Sequence, residues 1–315
     1  MTLTIGVDVG GTKVAGGVVD DTGKVLVQSR RDTPADDVAK TRDVIIELVD
    51  ELAAGRTVGG VGIGAAGWID ATRSTVLFAP NLAWRDEPLR EYVSAAVGLP
   101  VIVENDANVA AWAEFRYGAA RAADDSMIMF TIGTGVGGGI VLGGELMRGA
   151  HGIAAELGHM LAVPDGHQCG CGRLGCIEQY ASGSALVRFA RAGARQEPNR
   201  ATALLELAGG EVEAITGHMV TAAAQGGDPV STEAFAQIGR WLGTSLADMA
   251  QILDPQTLVV GGGVIDAGDL LLGPTRRSYL DALAQRGRLP VAEVLPAELG
   301  NSAGVIGAAD LARRI

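Results

Sequence analysis

The chain is 315 residues long, enough for two domains of ordinary size, and its 48% hydrophobic and 20% charged residues are globular usage with ample apolar surface for a core. Collagen, coiled coil and disorder are excluded by that balance. Twenty-five basic against thirty-seven acidic side chains leave a net charge of −12, which repels nucleic acid and anionic lipid.

The 46 glycines, about twice the usual share, gather beside apolar runs without a three-residue period and so mark tight turns. The longest uncharged stretch, Ser126 to Gly144, is broken by glycines and reads as strand, turn, strand, not as a membrane helix. The start, Met1-Thr2-Leu3-Thr4-Ile5, has no basic region and no long apolar segment, which predicts a cytoplasmic protein.

In chain order, Leu3 to Val9 is an apolar strand with Asp8 near its end, followed by Gly10-Gly11-Thr12-Lys13 and a second strand, Val14 to Val19. Asp20-Asp21-Thr22-Gly23 turns into a third strand, Lys24 to Gln28. Val38, Val44, Ile45, Leu48, Val49 and Leu52 have helical spacing and predict a helix over Asp36 to Ala54. Strands follow at Val58 to Gly64 and Val101 to Glu104, giving βββαβαβ, with Asn105-Asp106 where the last strand meets a helix running to about Tyr117.

Near Met127 the plan restarts. Met127 to Ile132 reads as a strand, Gly133-Thr134-Gly135-Val136-Gly137-Gly138-Gly139 as a turn, and Ile140 to Leu142 as the next strand. Val7-Asp8-Val9-Gly10 overlays Ile132-Gly133-Thr134-Gly135, so the halves read as divergent copies of one unit, and two similar lobes suit a two-substrate cleft. Ser182 to Leu253 is mainly helical, Thr257 to Val260 leads as a strand into Gly261-Gly262-Gly263, and Ala303 to Arg314 is a final amphipathic helix.

The run Gly133 to Gly138 matches G-x-G-x-x-G, but a strand and not a helix follows it, which rules out a dinucleotide fingerprint; no P-loop is present either. What remains is paired Gly-rich hairpin turns whose N–H groups can approach phosphate oxygens. Asp8 beside the first turn suits Mg²⁺ held through water, although an Asp there also caps turns, and Lys13 suits a phosphate or plain solvation. Asp106 at a helix start can stay ionised and accept a proton from a hydroxyl, a position shared with ordinary N-caps. Asn105 offers a donor and an acceptor to a polyol.

All three cysteines, Cys169, Cys171 and Cys176, lie within eight residues, and with His159 they form a complete set for tetrahedral, structural zinc. His167 competes as the fourth ligand, but its place two residues before Cys169 is cramped. Glu156 and Glu178 flank the cluster, where a rigid loop would hold both carboxylates toward a ligand.

Glu156-Leu157-Gly158-His159, the run Cys169 to Glu178, Asp8 to Lys13 and Glu104-Asn105-Asp106-Ala107-Asn108 together resemble the ROK family of bacterial sugar kinases and repressors, nearest its actinobacterial ATP-dependent glucokinase branch. The resemblance runs over nearly the whole chain. It implies an α/β, two-lobed actin-like and hexokinase-like (ribonuclease H-like) fold with a cleft between lobes: a small lobe of residues 1–117, with helix 303–315 as its candidate completion, and a large lobe of residues 118–302. It makes Asp106 the base for the sugar 6-hydroxyl attacking the γ-phosphate of ATP, and it puts Gly67, Asn81, Asn105, Glu156, His159 and Glu178 on the sugar. Asp8, Gly10, Gly11, Thr12, Lys13, Gly133, Thr134, Gly135, Gly137, Gly262 and Gly263 would hold ATP, with Mg²⁺ as cofactor and zinc as structural metal. Glucose is the expected sugar; fructose, mannose, allose, an N-acetylhexosamine and a polyphosphate donor are the alternatives. The implied assembly is a homodimer or homotetramer. A sugar-responsive repressor would need a basic helix-turn-helix ahead of the first strand, and that strand begins by about Leu3 in an acidic chain.

Overall fold

The computed structural model describes residues 2–284 and 290–315; Met1 lies outside the described residues. The chain packs as two compact units, one of residues 1–128, 138–155 and 298–315, the other of residues 129–137 and 156–297.

In the first unit β1 (Leu3–Val9), β2 (Lys13–Val19) and β3 (Val25–Asp32) form an antiparallel meander. Helix α1 (Val38–Ala53) crosses to β4 (Val58–Ala65), and α2 (Leu89–Val97) precedes β8 (Val101–Asn105) and α3 (Asp106–Tyr117). The sheet order is β3-β2-β1-β4-β8, with β1, β4 and β8 parallel. Their register sets Asp8 opposite Gly64 and Gly64 opposite Glu104, so the carboxyl ends of three buried strands finish abreast. Open parallel sheets collect their ligand sites at that edge.

Two glycines let the last helix, α10 (Ala303–Ala312), lie directly on this sheet. A Cβ on Gly6 or Gly62 would run into the Val305 or Ala308 carbonyl. The Trp112 indole N–H donates to buried Asp310 on α10 at 2.8 Å, fastening α10 to α3.

Strand β3 runs to Asp32, four residues past the predicted end. Its residues alternate between half-buried and exposed as far as Arg30, and beyond that Arg31 and Asp32 keep the backbone ladder to β2 while the side chains of Arg30, Arg31 and Asp32 all stay in water. A small sheet of β5 (Trp68–Ile69), β6 (Val76–Phe78) and β7 (Arg85–Glu87) was not foreseen, since strands of two or three residues carry no periodicity to read.

The second five-stranded sheet has the order β11-β10-β9-β12-β13, from β9 (Met127–Ile132), β10 (Val136–Leu142), β11 (Glu145–Leu146), β12 (Thr257–Gly261) and β13 (Glu293–Pro296). The division between units runs within β9 and β10. The sequence reading put residues 118–128, 138–155 and 298–302 in the larger lobe; in the structure they pack in the first unit. Gly139 lies against Ala107 and Ala111 of α3, and Arg148 donates to the Asp70 and Ala71 carbonyls, which carries that segment there. The second Gly-rich turn is also shorter than expected: β10 starts at Val136, so Gly137 to Gly139 belong to the strand, and Gly139 serves close packing instead of turning.

The rest of the second unit is helical: α4 (Glu178–Ala181), α5 (Gly183–Gln196), α6 (Thr202–Leu207), α7 (Gly217–Gln225), α8 (Pro229–Leu253) and α9 (Asp269–Leu283). Helix α8 buries Phe235, Ile238, Leu242, Leu246 and Met249 at helical spacing, with Trp241 and Leu253 half-buried beside them, and Gly239 and Gly243 bring its backbone close to α9.

Candidate functional site

The site residues fall into two sets, one in each unit. In the first, β8 ends at Asn105, whose side-chain oxygen accepts the Asn108 N–H at 3.0 Å and so caps α3. Its amide nitrogen donates to the Gly67 carbonyl at 3.0 Å. Gly67 has φ +133°, and a Cβ there would strike the Phe78 carbonyl, so this close approach needs glycine.

Asp106 opens α3, and its carboxylate accepts the Ala107 N–H at 2.8 Å. Burial raises its pKa, partly offset by that hydrogen bond. Asp8 is pushed up to about 6, first by burial and then by the nearby Asp106 charge. Burial and the neighbouring Asp106 charge both disfavour the ionised Asp8 carboxylate, a cost that a divalent cation would relieve, so the residues fit Mg²⁺ at Asp8.

The turn after β1 closes through the Gly10 N–H donating to the Lys13 carbonyl at 2.9 Å, with the Thr33 hydroxyl on the Gly10 carbonyl at 2.8 Å. Thr12 and Lys13 are exposed, and Gly11 lies against Asn81, which brings the predicted sugar residue Asn81 beside the predicted phosphate turn. The Arg85 guanidinium holds the Asn81 loop by donating to the Ala79 and Leu82 carbonyls at 2.8 and 3.1 Å.

In the second unit the Cys169 to Cys176 segment folds back on itself through the bridges Leu161 to Cys176 and Gln168 to Leu174. Gly175, at φ +79°, could not carry a side chain without running into the Val163 carbonyl. The ligand atoms of His159, Cys169, Cys171 and Cys176 all lie within 4.8 Å of one another. Cys169 Sγ is 3.6 Å from His159 Nδ1, and Cys171 Sγ is 3.7 Å from Cys176 Sγ. Ligands of tetrahedral zinc sit about 3.5–3.8 Å apart, so this donor set fits zinc with every coordination position filled by protein. His167 is not part of the cluster; its ring instead lies 5.5 Å from that of Tyr180.

The free ring nitrogen of His159, Nε2, faces Glu156 Oε2 at 3.8 Å, an arrangement that orients the imidazole. Glu178 has two neighbours at once: Cys169 Sγ at 3.5 Å from Oε1, and the Val136 N–H, which donates to Oε2 at 3.2 Å. One carboxylate thus joins the thiol cluster to the turn at Gly133 to Gly135. That turn is further fixed by the Gly183 N–H at the start of α5 donating to the Gly133 carbonyl at 2.8 Å and by the Ser184 hydroxyl donating to the Thr134 carbonyl at 2.8 Å. Gly262, at φ +83°, lies on the Ile132 backbone, while Gly263 has open space where a Cβ would be.

With these arrangements in view, the comparison with known proteins is decisive about kinship: the ROK family is matched over residues 4–315. The chain belongs to the ROK family. This ROK chain is 51% identical to a glucokinase of Streptomyces coelicolor, over 99% of its own length and 98% of the relative's. It is 36% identical to a glucokinase of Thermotoga maritima, over 98% and 96% of the two chains. Among solved structures it is similar to a ROK family glucokinase from Streptomyces griseus in complex with glucose and AMPPNP, with TM-score 0.89 and 51% identity over 99% and 100% of the two chains. The two-lobed hexokinase-like architecture expected of ROK sugar kinases is the fold of this ROK chain.

Sequence reading missed Glu104, Arg73, Arg148 and Arg85, all of which hold the first set in place. The one available signal was a charged Glu104 in the apolar strand Val101 to Val103, since a lone charge there must be paired when buried.

Proposed function

We propose that this chain is a glucokinase, transferring the γ-phosphate of ATP to the 6-hydroxyl of glucose. The observation that carries the reading is a half-buried carboxylate, Asp106, at the head of α3 on the carboxyl edge of three parallel strands, in a chain half identical to glucokinases along its full length. Phosphoryl transfer asks for positioning and charge neutralisation, with one base for the attacking hydroxyl. Asp106 is that base, and its raised pKa brings its basicity closer to the working pH. In this reading Asn105, Gly67, Asn81, Glu156, His159 and Glu178 are the residues for the sugar hydroxyls.

The backbone of Gly10, Gly11, Thr12 and Lys13, and that of Gly133, Thr134, Gly135 and Gly137, takes the phosphates of ATP; Gly262 and Gly263 take the adenosine. Mg²⁺ at Asp8 would neutralise phosphate charge when bound. Zinc on His159, Cys169, Cys171 and Cys176 would brace the loop that carries Glu156 and Glu178, with no role in the chemistry. Among the described residues no helix is long and apolar enough to cross a membrane, and the reading expects a cytoplasmic homodimer or homotetramer.

A coupled assay over glucose, fructose, mannose, allose and N-acetylhexosamines, each with ATP or polyphosphate, tests the reading. Glucose with ATP should give the highest kcat/KM, and a higher value for any other pair would reassign the substrate or the donor. Elemental analysis should find about one zinc per chain, and Cys171→Ser should raise the glucose KM about tenfold through loss of the loop. A metal-free preparation with an unchanged KM would refute the zinc role.

A further inference from the structure

We infer that Glu104 is a positioning residue for Asn105 and Asp106, an inference that rests on the kinase reading above. The Glu104 side chain is 1% exposed. Its Oε1 accepts the Asn105 N–H at 2.9 Å and the Asn108 side-chain amide at 3.1 Å. Its Oε2 lies 2.9 Å from Arg73 Nε and 2.6 Å from Arg148 Nε. Both arginines reach it from the small sheet and its surroundings. Arg73 sits in the β5–β6 turn at φ +56° and accepts the Val103 N–H at its carbonyl, while Arg148 also donates to the Asp70 and Ala71 carbonyls.

A carboxylate buried between two guanidiniums adds little stability that apolar packing could not supply. Here its second oxygen is spent on the strand-to-helix junction. The Asn105 N–H and the Asn108 amide converge on it, and the same two residues make the helix cap, while the Asn105 amide donates to Gly67. Glu104 therefore sets the direction in which Asn105 presents its amide and the point at which α3, with Asp106 first, begins. Removing the acceptor leaves the half-buried Asn105 N–H and the buried Asn108 amide without this partner, and the junction must shift to satisfy them.

The test compares Glu104→Gln, which keeps an acceptor for the Asn105 N–H, with Glu104→Met, which removes it at similar volume. Glu104→Met should raise the glucose KM at least about tenfold and lower kcat, with the ATP KM moving less than about twofold; Glu104→Gln should keep the glucose KM within about threefold. Lower melting temperature and active fraction with unchanged KM values would mark a merely structural residue and overturn the inference. Should Glu104→Met fail to fold, Glu104→Asp keeps the charge for both arginines but draws the acceptor back by one methylene. It should raise the glucose KM at least about fivefold, and an unchanged KM would overturn the inference. The wild-type chain is assayed first: its failure on glucose would defeat the kinase reading, whereas an active wild type with flat KM values across the variants would defeat this inference alone.

Discussion

At the end of β1 the chain places a carboxylate, Asp8, with Asp106 close enough to raise its pKa; at the matching point of β9 it places Gly133, whose carbonyl accepts the first N–H of α5. The two five-stranded sheets repeat one strand-turn-strand plan and load it with different chemistry. One edge concentrates negative charge that must be neutralised or protonated. The other offers backbone, a thiol cluster and a single bridging carboxylate, Glu178. Duplicated backbone geometry is thus compatible with a division of labour between proton transfer in one copy and rigid presentation in the other.

The strongest test of that division is Asp106→Asn. It should cost at least about a hundredfold in kcat while the melting temperature barely moves, because the amide keeps the shape and loses the base. Near-normal turnover would remove Asp106 from the mechanism.

A second test sets the turns against each other. A Cβ at Gly135 would strike the Glu178 carboxylate, whereas one at Gly10 meets only the Lys13 carbonyl at an ordinary 3.4 Å. Gly135→Ala should displace Glu178 and lower kcat/KM for glucose about tenfold, and Gly10→Ala should change stability by less than about 0.5 kcal/mol. Equal effects at the two turns would erase the contrast.

The smallest effect concerns Asp8. Its carboxyl titrates near 6 in the folded chain against 3.8 ordinarily, so the native state holds the proton more tightly. The sign follows: this contribution favours the fold fully below about pH 4 and is lost as pH rises through 6. Asp8→Asn should therefore raise the melting temperature of metal-free protein at pH 7.5, by the equivalent of about 1–3 kcal/mol, with the gain vanishing near pH 4 and narrowing when Mg²⁺ is added. A gain independent of pH would point to packing instead of charge.

Much of this was legible before any coordinates. The spacing of His159, Cys169, Cys171 and Cys176 announced a four-ligand cluster, because nitrogen and sulfur ligands in so short a segment can converge by local folding alone. Asp106 was visible at a strand-to-helix junction for the same local reason, and the meander, the cores of α1 and α8 and the repeat of the plan followed from periodicity.

Tertiary structure alone decided the rest. Glu104 meets Arg73 across 31 residues, Glu178 reaches the Val136 N–H across 42, and Gly6 and Gly62 are bare so that a helix some 250 to 300 residues later can lie on them. Hydrophobic period and ligand spacing are properties of neighbours in the chain, whereas the partner of a buried charge and the reason for a missing side chain depend on which distant segments the fold brings together.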